Sequence, residues 1–287
     1  MLLCAPAMAN AFTAQDDDRN SIELAGPAQR IVSLAPGATA MLFAAGAGGR
    51  VVGTSAYSDE PAAAQKIERI GDAQSFDLER ILALHPDVVV VWTGGTSLTQ
   101  IARLRRVGLR IYQHHVTRLE QIPESLRRLG VLTGTQTQAA SAADELARRI
   151  AALKDQYRRP VSASVFIQVW DRPLYTVGRD EILTDVIHLC GYRSVYDDLS
   201  DVSPAVTIES VLARDPDIIL ALNSDRGSAQ DWLRQWHAFS SMKAVRTGRV
   251  VSWSDPRLTG IGPSEVDAAE SLCQALHAAE TEINVKQ

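Results

Sequence analysis

Residues 77–91 read DLERILALHPDVVVV and residues 207–221 read TIESVLARDPDIILA, so the two segments align at an offset of 130 residues. Both carry a Pro-Asp pair, at Pro86–Asp87 and Pro216–Asp217. Proline lacks an N–H and disfavours the helical conformation in the residue before it. Each copy therefore predicts a short helix, a turn and a buried strand rich in β-branched residues. A helix–turn–strand unit that occurs twice at long range predicts two similar lobes.

Around the two copies, short apolar runs alternate with stretches of helical periodicity. In the first half, strands are predicted over 30–34, 51–54, 87–92 and 109–112, and helices over 38–45, 78–84 and 98–107. In the second half, strands are predicted over 163–169, 217–222 and 249–253, and helices over 181–189, 228–236 and 264–279. This alternation is typical of parallel sheets with crossover helices.

Residues 136–159 contain neither glycine nor proline, and their apolar residues follow helical spacing until Pro160. They predict one stiff helix, roughly 36 Å long at 1.5 Å per residue. The predicted fold class is α/β, with two parallel-sheet lobes joined by one long backbone helix. The predicted segments are a signal-peptide remnant and leader (1–29), an N-terminal lobe (30–135), the connecting helix (136–159) and a C-terminal lobe (160–287).

The composition excludes several classes of protein. Of the 287 residues, 46% are hydrophobic and 22% are charged, which favours a packed core over disorder. The net charge is −5, which argues against a nucleic-acid-binding protein, because such proteins usually have a basic stripe. No apolar run approaches the roughly 18 residues that a membrane-spanning helix needs.

The N-terminal stretch MLLCAPAMANAF ends in Ala-x-Ala patterns at 7–9 and 9–11. Such patterns are typical of the end of a secretory signal peptide, so we expect cleavage near Ala9 or Ala11 and a periplasmic protein. A positive segment is missing before them, which indicates that a longer signal is truncated here. The alternative is an unstructured tail. The Asp16–Asp18 run is expected to be part of a solvated leader.

Cys190 and Cys273 lie in two apolar-periodic stretches, 83 residues apart. In an exported chain they predict one disulfide, which by loop closure would contribute on the order of 4 kcal/mol. The alternative is a pair of buried free thiols.

The segments RIVSLAPGATAMLFAAG (30–46) and VVGTSAYSDEPAAAQKIERIGD (51–72), together with the two repeats, resemble the helical-backbone class of periplasmic binding proteins. Within that class the chain looks most like the vitamin B12-binding proteins of cobalamin importers, from about residue 30 to 279. The resemblance implies a monomeric, non-enzymatic carrier with cobalamin as transported ligand, no resident cofactor, and a ligand cleft between two lobes. It also implies a cystine, because Cys190 and Cys273 fall where that family has one.

Candidate ligand contacts share a position at or just beyond a predicted strand end. Tyr57 in SAYSDEP and Trp92 in VWTGG point toward cobalamin, a wide disc that favours aromatic walls and a few convergent donors. The family tends to carry aromatic residues just before each repeat, where this chain has only Phe76; Trp170 is the candidate replacement. For every aromatic candidate the alternative is ordinary packing. The full set is Ala35, Pro36, Gly37, Tyr57, Trp92, Trp170, Trp253, Asp255, Arg257, Leu258 and Thr259.

Glu79 and Glu209 occupy equivalent positions in the two repeats. Matching carboxylates on two lobes suit two basic pockets on the permease of an ABC importer, and we expect them to be docking residues. Each would also lie in the first turn of its helix, where a carboxylate is favourable on electrostatic grounds alone.

The sequence shows no HExxH, CxxC or GxSxG motif and no P-loop, and the adjacent His114 and His115 would point to opposite faces of a strand. We therefore expect no metal site and no catalysis. Three alternatives remain. One is a haem- or ferric-siderophore-binding protein of the same fold. Another is a two-lobed, nitrogenase-like component of a metal-cluster enzyme, which would need more cysteines than the two outside the leader. The third is an interaction domain without a tight ligand.

Overall fold

The computed structural model describes residues 12–72, 75–161, 163–222, 226–255, 257 and 261–284. It divides into an N-terminal unit (residues up to 115, with 123–144) and a C-terminal unit (116–122, with 145 onward). The predicted signal-peptide cleavage region lies outside the described residues. None of the helices described is long and apolar enough to cross a membrane.

Strands and helices alternate along most of the chain as the sequence predicts, and the hairpin at 12–24, the helices at 121–133 and 243–246 and the strand at 192–194 lie outside the predicted elements. The strands are β1 (Phe12–Gln15), β2 (Ser21–Leu24), β3 (Ile31–Ser33), β4 (Val51–Thr54), β5 (Val88–Trp92), β6 (Ile111–His114), β7 (Ala163–Gln168), β8 (Tyr192–Ser194), β9 (Ile218–Leu222) and β10 (Val250–Trp253). The α-helices are α1 (Pro36–Ala44), α2 (Leu78–Ala83), α3 (Leu98–Arg106), α4 (Gln121–Thr133), α5 (Gln136–Gln156), α6 (Ile182–Leu189), α7 (Ile208–Arg214), α8 (Arg226–Leu233), α9 (Lys243–Arg246) and α10 (Glu265–Asn284). A short 3₁₀ helix, Arg234–Ala238, continues α8.

Each unit contains one four-stranded parallel sheet, and the two sheets have the same strand order. In the N-terminal unit the order is β4-β3-β5-β6, and in the C-terminal unit it is β8-β7-β9-β10. Numbered within its own unit, each sheet has the order 2-1-3-4. The second strand lies on one side of the first strand, and the third and fourth strands lie on its other side. The sheet therefore has a topological switch point between its first and third strands. The predicted α/β fold with two parallel-sheet lobes is confirmed.

The internal repeat extends to the backbone conformation. Asp77 and Thr207 cap α2 and α7 by accepting hydrogen bonds from the N–H three residues further on. At the other end of each helix, His85 and Asp215 occupy equivalent positions and have positive φ angles of 45° and 40°. A left-handed residue stops the helix before the proline, as the repeated sequence requires.

The aspartates of the two Pro-Asp pairs also have equivalent roles. Asp87 Oδ2 accepts hydrogen bonds from the backbone N–H groups of Gln29 and Arg30, which lie just before β3. Asp217 Oδ2 accepts from the backbone and the hydroxyl of Ser164 at the start of β7. In both units the repeat therefore fixes the beginning of the sheet's first strand.

The predicted connecting helix corresponds to α5, which has 21 residues and ends three residues before the predicted end. The division between the two units falls inside α5, after Asp144. Residues 116–122, which the sequence assigns to the first lobe, group instead with the C-terminal unit. The reason is visible in their contacts: Leu119 N–H donates to Asp185 at 2.9 Å, and Glu120 pairs with Lys154.

The expectation that Asp16–Asp18 is solvated is wrong, and so is a leader that extends to residue 29. Strands β1 and β2 form an antiparallel hairpin, and the turn between them carries the three aspartates. The side chain of Asp17 is buried, and its carboxylate accepts hydrogen bonds from Tyr112, Ser125, Arg128 and the His115 N–H and lies 2.9 Å from His114 Nδ1. We call this set the Asp17 cluster. The hairpin is thus part of the N-terminal unit.

Candidate functional site

In the N-terminal unit, the predicted ligand residues gather at the carboxyl edge of the sheet. Ala35, Pro36 and Gly37 follow β3 and begin α1, and Trp92 ends β5, so these residues lie at the switch point of the sheet. Proline has no N–H, so the first free helix donors after Ala35 are those of Gly37 and the next residue. Ligands of open α/β sheets bind at such edges.

A network of buried hydroxyl groups holds this edge together. Thr39 Oγ1 lies 2.9 Å from both Ser33 Oγ and Thr54 Oγ1, and Ser55 Oγ lies 2.9 Å from Ser58 Oγ. The network joins the ends of β3 and β4 to α1, and each hydroxyl in it finds a partner, as buried hydroxyls must. Sequence reasoning missed this network, because nothing in the spacing of five separate hydroxyl residues indicates that they meet.

Tyr57 lies on the turn that this network anchors. Its φ angle is +64° and its side chain is 84% exposed. Arg69 donates to the carbonyl oxygens of Ser55 and Ser58, on either side of Tyr57, at 2.8 and 2.9 Å. A bulky residue in the left-handed region is strained by about 1–2 kcal/mol. The turn therefore holds an aromatic ring out in solvent at an energetic cost.

Trp92 is half-buried, and its ring packs under the turn that follows. A Cβ atom added to Gly94 would lie 2.8 Å from the ring, and one on Gly95 would also collide with it. The two glycines of VWTGG are therefore needed so that the backbone can cross the indole. Trp92 is fixed in place at the sheet edge rather than free to turn.

In the C-terminal unit, a cavity of about 710 Å³ lies at the carboxyl end of β10. Trp253, Asp255 and Arg257, all predicted from the sequence, line it. Its other described lining residues are Ala229, Gln230, Ser252, Ser254 and Ser271. The predicted contacts Leu258 and Thr259 lie outside the described residues.

Asp255 and Arg257 form a two-residue ion pair at this cavity. Arg257 Nε and Nη2 donate to the two carboxylate oxygens of Asp255 at 2.8 and 2.5 Å. The Arg257 side chain lowers the pKa of Asp255 and keeps it ionised. Arg257 is oriented by this pair and is itself partly exposed, so it can donate to an amide or phosphate oxygen.

Glu265, the first residue of α10, was not among the predicted site residues. Its side chain is fully buried, and within the described part of the chain neither carboxyl oxygen has a hydrogen-bond partner. Burial raises the pKa of Glu265 well above its usual value, and the charge of Asp255 raises it further. Burial therefore favours the protonated form of Glu265 over the carboxylate.

Trp170 follows β7, the first strand of its sheet, and is therefore at the switch point of the C-terminal unit. Its side chain is 54% exposed. The ring of Trp232, on α8, lies 5.8 Å away between centroids, with an angle of 59° between the planes. Trp232 was not predicted, although its place on a helix that follows a central strand is the kind of signal that could have suggested it.

Glu79 and Glu209 are exposed and occupy the second residue of α2 and α7, each in its own unit. Hydrogen bonds from its own backbone N–H and from Thr207 lower the pKa of Glu209. Their docking role stays a prediction. The predicted disulfide between Cys190 and Cys273 is confirmed, and both residues are buried.

The side chains of His114 and His115 pair with different residues. Their Nδ1 atoms pair with different carboxylates, those of Asp17 and Asp18, at 2.9 and 2.6 Å. Among the residues that the structure describes, no group of three or more His, Cys, Asp or Glu side chains is arranged to hold a metal ion.

A family model described as periplasmic binding protein matches residues 31–256. The vitamin B12-binding protein of Vibrio cholerae serotype O1 is 31% identical to this chain over 88% of its length and 91% of that protein. The vitamin B12-binding protein of Salmonella paratyphi A is 34% identical, over 87% of this chain and 90% of that protein.

Solved structures agree with the sequence relatives. The periplasmic vitamin B12-binding protein BtuF of Vibrio cholerae superposes with a TM-score of 0.80 at 31% identity, covering 89% of this chain and 99% of that one. The periplasmic haem-binding protein RhuT of Roseiflexus sp. RS-1 superposes with a TM-score of 0.74 at 25% identity, covering 88% and 98%. This chain therefore belongs to the periplasmic binding protein family, in the group that includes proteins named for vitamin B12 binding.

Proposed function

We propose that this protein is a periplasmic carrier that binds cobalamin or a related corrinoid and delivers it to an ABC-type permease. The observation that carries the proposal is the likeness to vitamin B12-binding proteins at 31–34% identity over nearly nine-tenths of the chain. A carrier of this kind catalyses no reaction on its ligand, works as a monomer and needs no resident cofactor.

The geometry of the two sheet edges supports a disc-shaped ligand. Tyr57 and Trp92 supply aromatic surface in the N-terminal unit, and Trp170 supplies it in the C-terminal unit, where Trp253 is largely buried but lines the cavity. Arg257, held in orientation by Asp255, supplies a donor for the amide or phosphate oxygens at the margin of a corrinoid. Aromatic walls with a few fixed polar groups are what such a ligand requires.

Titration calorimetry with cyanocobalamin tests the proposal, and we expect one binding site per chain. Tyr57→Ala should weaken binding about tenfold, because an exposed aromatic contact is typically worth 1 kcal/mol or more when truncated. The matched control is Val107→Ala, which changes an exposed residue next to the carboxyl end of α3. Tight binding of haem or of a ferric siderophore, with no corrinoid binding by the wild type, would refute the cobalamin proposal.

A transport assay tests the docking role of Glu79 and Glu209. Glu79→Ala and Glu209→Ala should leave cobalamin affinity unchanged but reduce uptake, and the double variant should reduce it more than either alone. The physical reason is that each exposed carboxylate can pair with an arginine of the permease without touching the ligand. Stability should fall by about 1 kcal/mol or less for each change, which is the helix-dipole contribution.

The control for that assay is the double variant Glu23→Ala, Asp155→Ala, which removes one exposed carboxylate from each unit away from α2 and α7. Its uptake should equal that of the wild type. Normal uptake by the Glu79, Glu209 double variant would remove the docking role, whereas weaker cobalamin binding would show that these carboxylates face the ligand.

A further inference from the structure

One stretch of this acidic chain is basic. Residues 88–119 contain five arginines and no aspartate or glutamate, although the net charge of the whole chain is −5. Arg103, Arg105 and Arg106 lie in the last turn of α3, and Arg110 follows shortly before β6. All four residues are exposed, and we call them the arginine face.

The arginine face lacks the carboxylates that accompany other exposed arginines. Within the described residues, none of its four guanidinium groups has a carboxylate at ion-pair distance, and Arg105 donates only to the side-chain oxygen of Gln113, at 3.3 Å. Elsewhere, exposed arginines pair with a carboxylate close in sequence, as in Arg148–Glu145, Arg158–Asp155 and Arg179–Asp180. The charge of the arginine face is therefore uncompensated on its own surface.

Helix stability does not account for this set of arginines. The helix dipole favours a positive charge in the last turn of α3. However, like charges three residues apart on a helix, such as Arg103 and Arg106, repel each other, and Arg110 lies beyond the helix end. A surface that concentrates one sign of charge in this way suits a partner of the opposite sign.

The arginine face lies away from the candidate ligand residues. Arg110 precedes β6, and its carbonyl oxygen accepts a hydrogen bond from Val89 N–H near the beginning of β5, so this residue is at the amino edge of the sheet. Ala35 and Trp92 lie at the carboxyl edge of the same sheet. A partner at the arginine face can therefore leave the candidate ligand residues uncovered.

We infer that the arginine face binds the phosphate groups of anionic lipids and so holds the protein reversibly at a membrane surface. Guanidinium groups donate to phosphate oxygens in pairs, which makes arginine well suited to such headgroups. Between Leu98 and Val107, the exposed residues of α3 are Thr99, Ala102 and three arginines. This face thus lacks the apolar centre that protein interfaces usually have, and it fits a contact made by charge. The inference goes beyond the proposed function, because it does not depend on which ligand is carried.

Screening decides whether four arginines can act in a chain of net charge −5. At physiological ionic strength the Debye length is about 8 Å, so a membrane next to α3 is influenced by the arginine face far more than by distant carboxylates. Each arginine close to an anionic surface strengthens binding about fivefold, so four should give a preference for anionic over neutral lipid on the order of several hundred-fold. Attachment of that strength is weak enough to be reversible.

Cosedimentation with lipid vesicles tests the inference. Wild type should bind vesicles of phosphatidylglycerol and phosphatidylcholine in equal parts but not vesicles of phosphatidylcholine alone. Raising the ionic strength to about 1 M, where the Debye length is about 3 Å, should release it. The triple variant Arg103→Gln, Arg106→Gln, Arg110→Gln should bind the anionic vesicles on the order of 100-fold more weakly. Arg105 is kept because it contacts Gln113.

The matched control is the triple variant Arg148→Gln, Arg158→Gln, Arg179→Gln, which removes the same charge from exposed arginines that have carboxylate partners. It should bind the anionic vesicles nearly as well as the wild type. Urea unfolding of both triple variants should stay close to that of the wild type, because the six side chains are exposed. Their cobalamin affinity should also be unchanged.

The outcomes separate this inference from the proposed function. Equal binding of wild type to both kinds of vesicle, or equal losses in the two triple variants, would overturn the inference, the latter in favour of a general effect of net charge. Normal vesicle binding by the Arg103, Arg106, Arg110 variant, with reduced binding to the permease in neutral lipid, would overturn it in favour of an acidic protein partner. Wild type that prefers anionic vesicles but binds no corrinoid would support the inference and overturn the proposed function.

Discussion

Replacing Asp17 with asparagine should lower the free energy of unfolding by about 3–5 kcal/mol, the usual cost of breaking a buried charge pair by removing one partner. The carboxylate accepts hydrogen bonds from β6 and the residue after it and from α4, and Arg128 is its charged partner, with His114 Nδ1 at 2.9 Å. An amide at this position cannot accept all of these hydrogen bonds, and one of its own N–H groups would face them. Urea unfolding of the purified variant measures the loss.

Asp18→Asn is the matched control, because Asp18 lies on the same turn but is partly exposed. Its loss should be about 1 kcal/mol or less, as is typical of exposed pairs. A loss for Asp17→Asn no larger than that of Asp18→Asn would show that the buried cluster contributes little to stability.

The Asp17 cluster should also appear in the pH dependence of stability. Burial alone would raise the pKa of Asp17, but the hydrogen bond and charge of His114, with hydrogen bonds from Ser125 and the His115 backbone, outweigh burial and lower it. A lowered pKa in the folded state contributes stability above the unfolded pKa of about 3.9 and loses it as the pH falls through the lower folded value. Wild type should therefore lose stability in acid more steeply than Asp17→Asn, and parallel profiles would contradict this.

Removing the Cys190–Cys273 disulfide should cost about 4 kcal/mol, because it closes a loop of 83 residues in the unfolded chain. Cys190 caps the end of α6 and Cys273 lies within α10, and both are fully buried. The double variant Cys190→Ala, Cys273→Ala and the reduced wild type should have nearly the same free energy of unfolding.

Thiol labelling of the denatured, unreduced protein is the control for that experiment. Neither cysteine should react before reduction, and both should react after it. Labelling of both cysteines without reduction would show that the pair is not oxidised in the purified protein. A fully oxidised protein whose stability does not change on reduction would contradict the loop-closure argument instead.

The features that sequence could predict are those that local patterns encode. The repeat, the Pro-Asp turns and the strand–helix alternation are each specified within about 15 residues, and the structure has them in the same places with shifts of one or two residues at most ends. The strand predicted over 109–112 lies instead at Ile111–His114, where Ile111 pairs with Val89 of β5. No feature of the local pattern distinguishes those two placements.

The features that sequence could not predict depend on partners far along the chain. Asp16–Asp18 have the composition of a solvated segment, and only the fold places Ser125 and Arg128 beside Asp17. Glu265 has the pattern of an ordinary first-turn glutamate, yet it is fully buried. The sequence indicates that Tyr57 lies in a loop, but its left-handed backbone and the hydroxyl network beneath it depend on residues from separate parts of the chain.

The Asp17 cluster has a consequence for the order in which the chain is made. Tyr112 and Arg128 are synthesised 95 and 111 residues after Asp17, which at about 5–20 residues per second corresponds to roughly 5–20 s on the ribosome. A lone two-stranded hairpin is only marginally stable, so β1 and β2 cannot hold their shape during that interval. The hairpin is therefore among the last parts of its own unit to settle, although it is synthesised before the sheet and α4, and it remains available to whatever handles nascent chains until α4 has emerged.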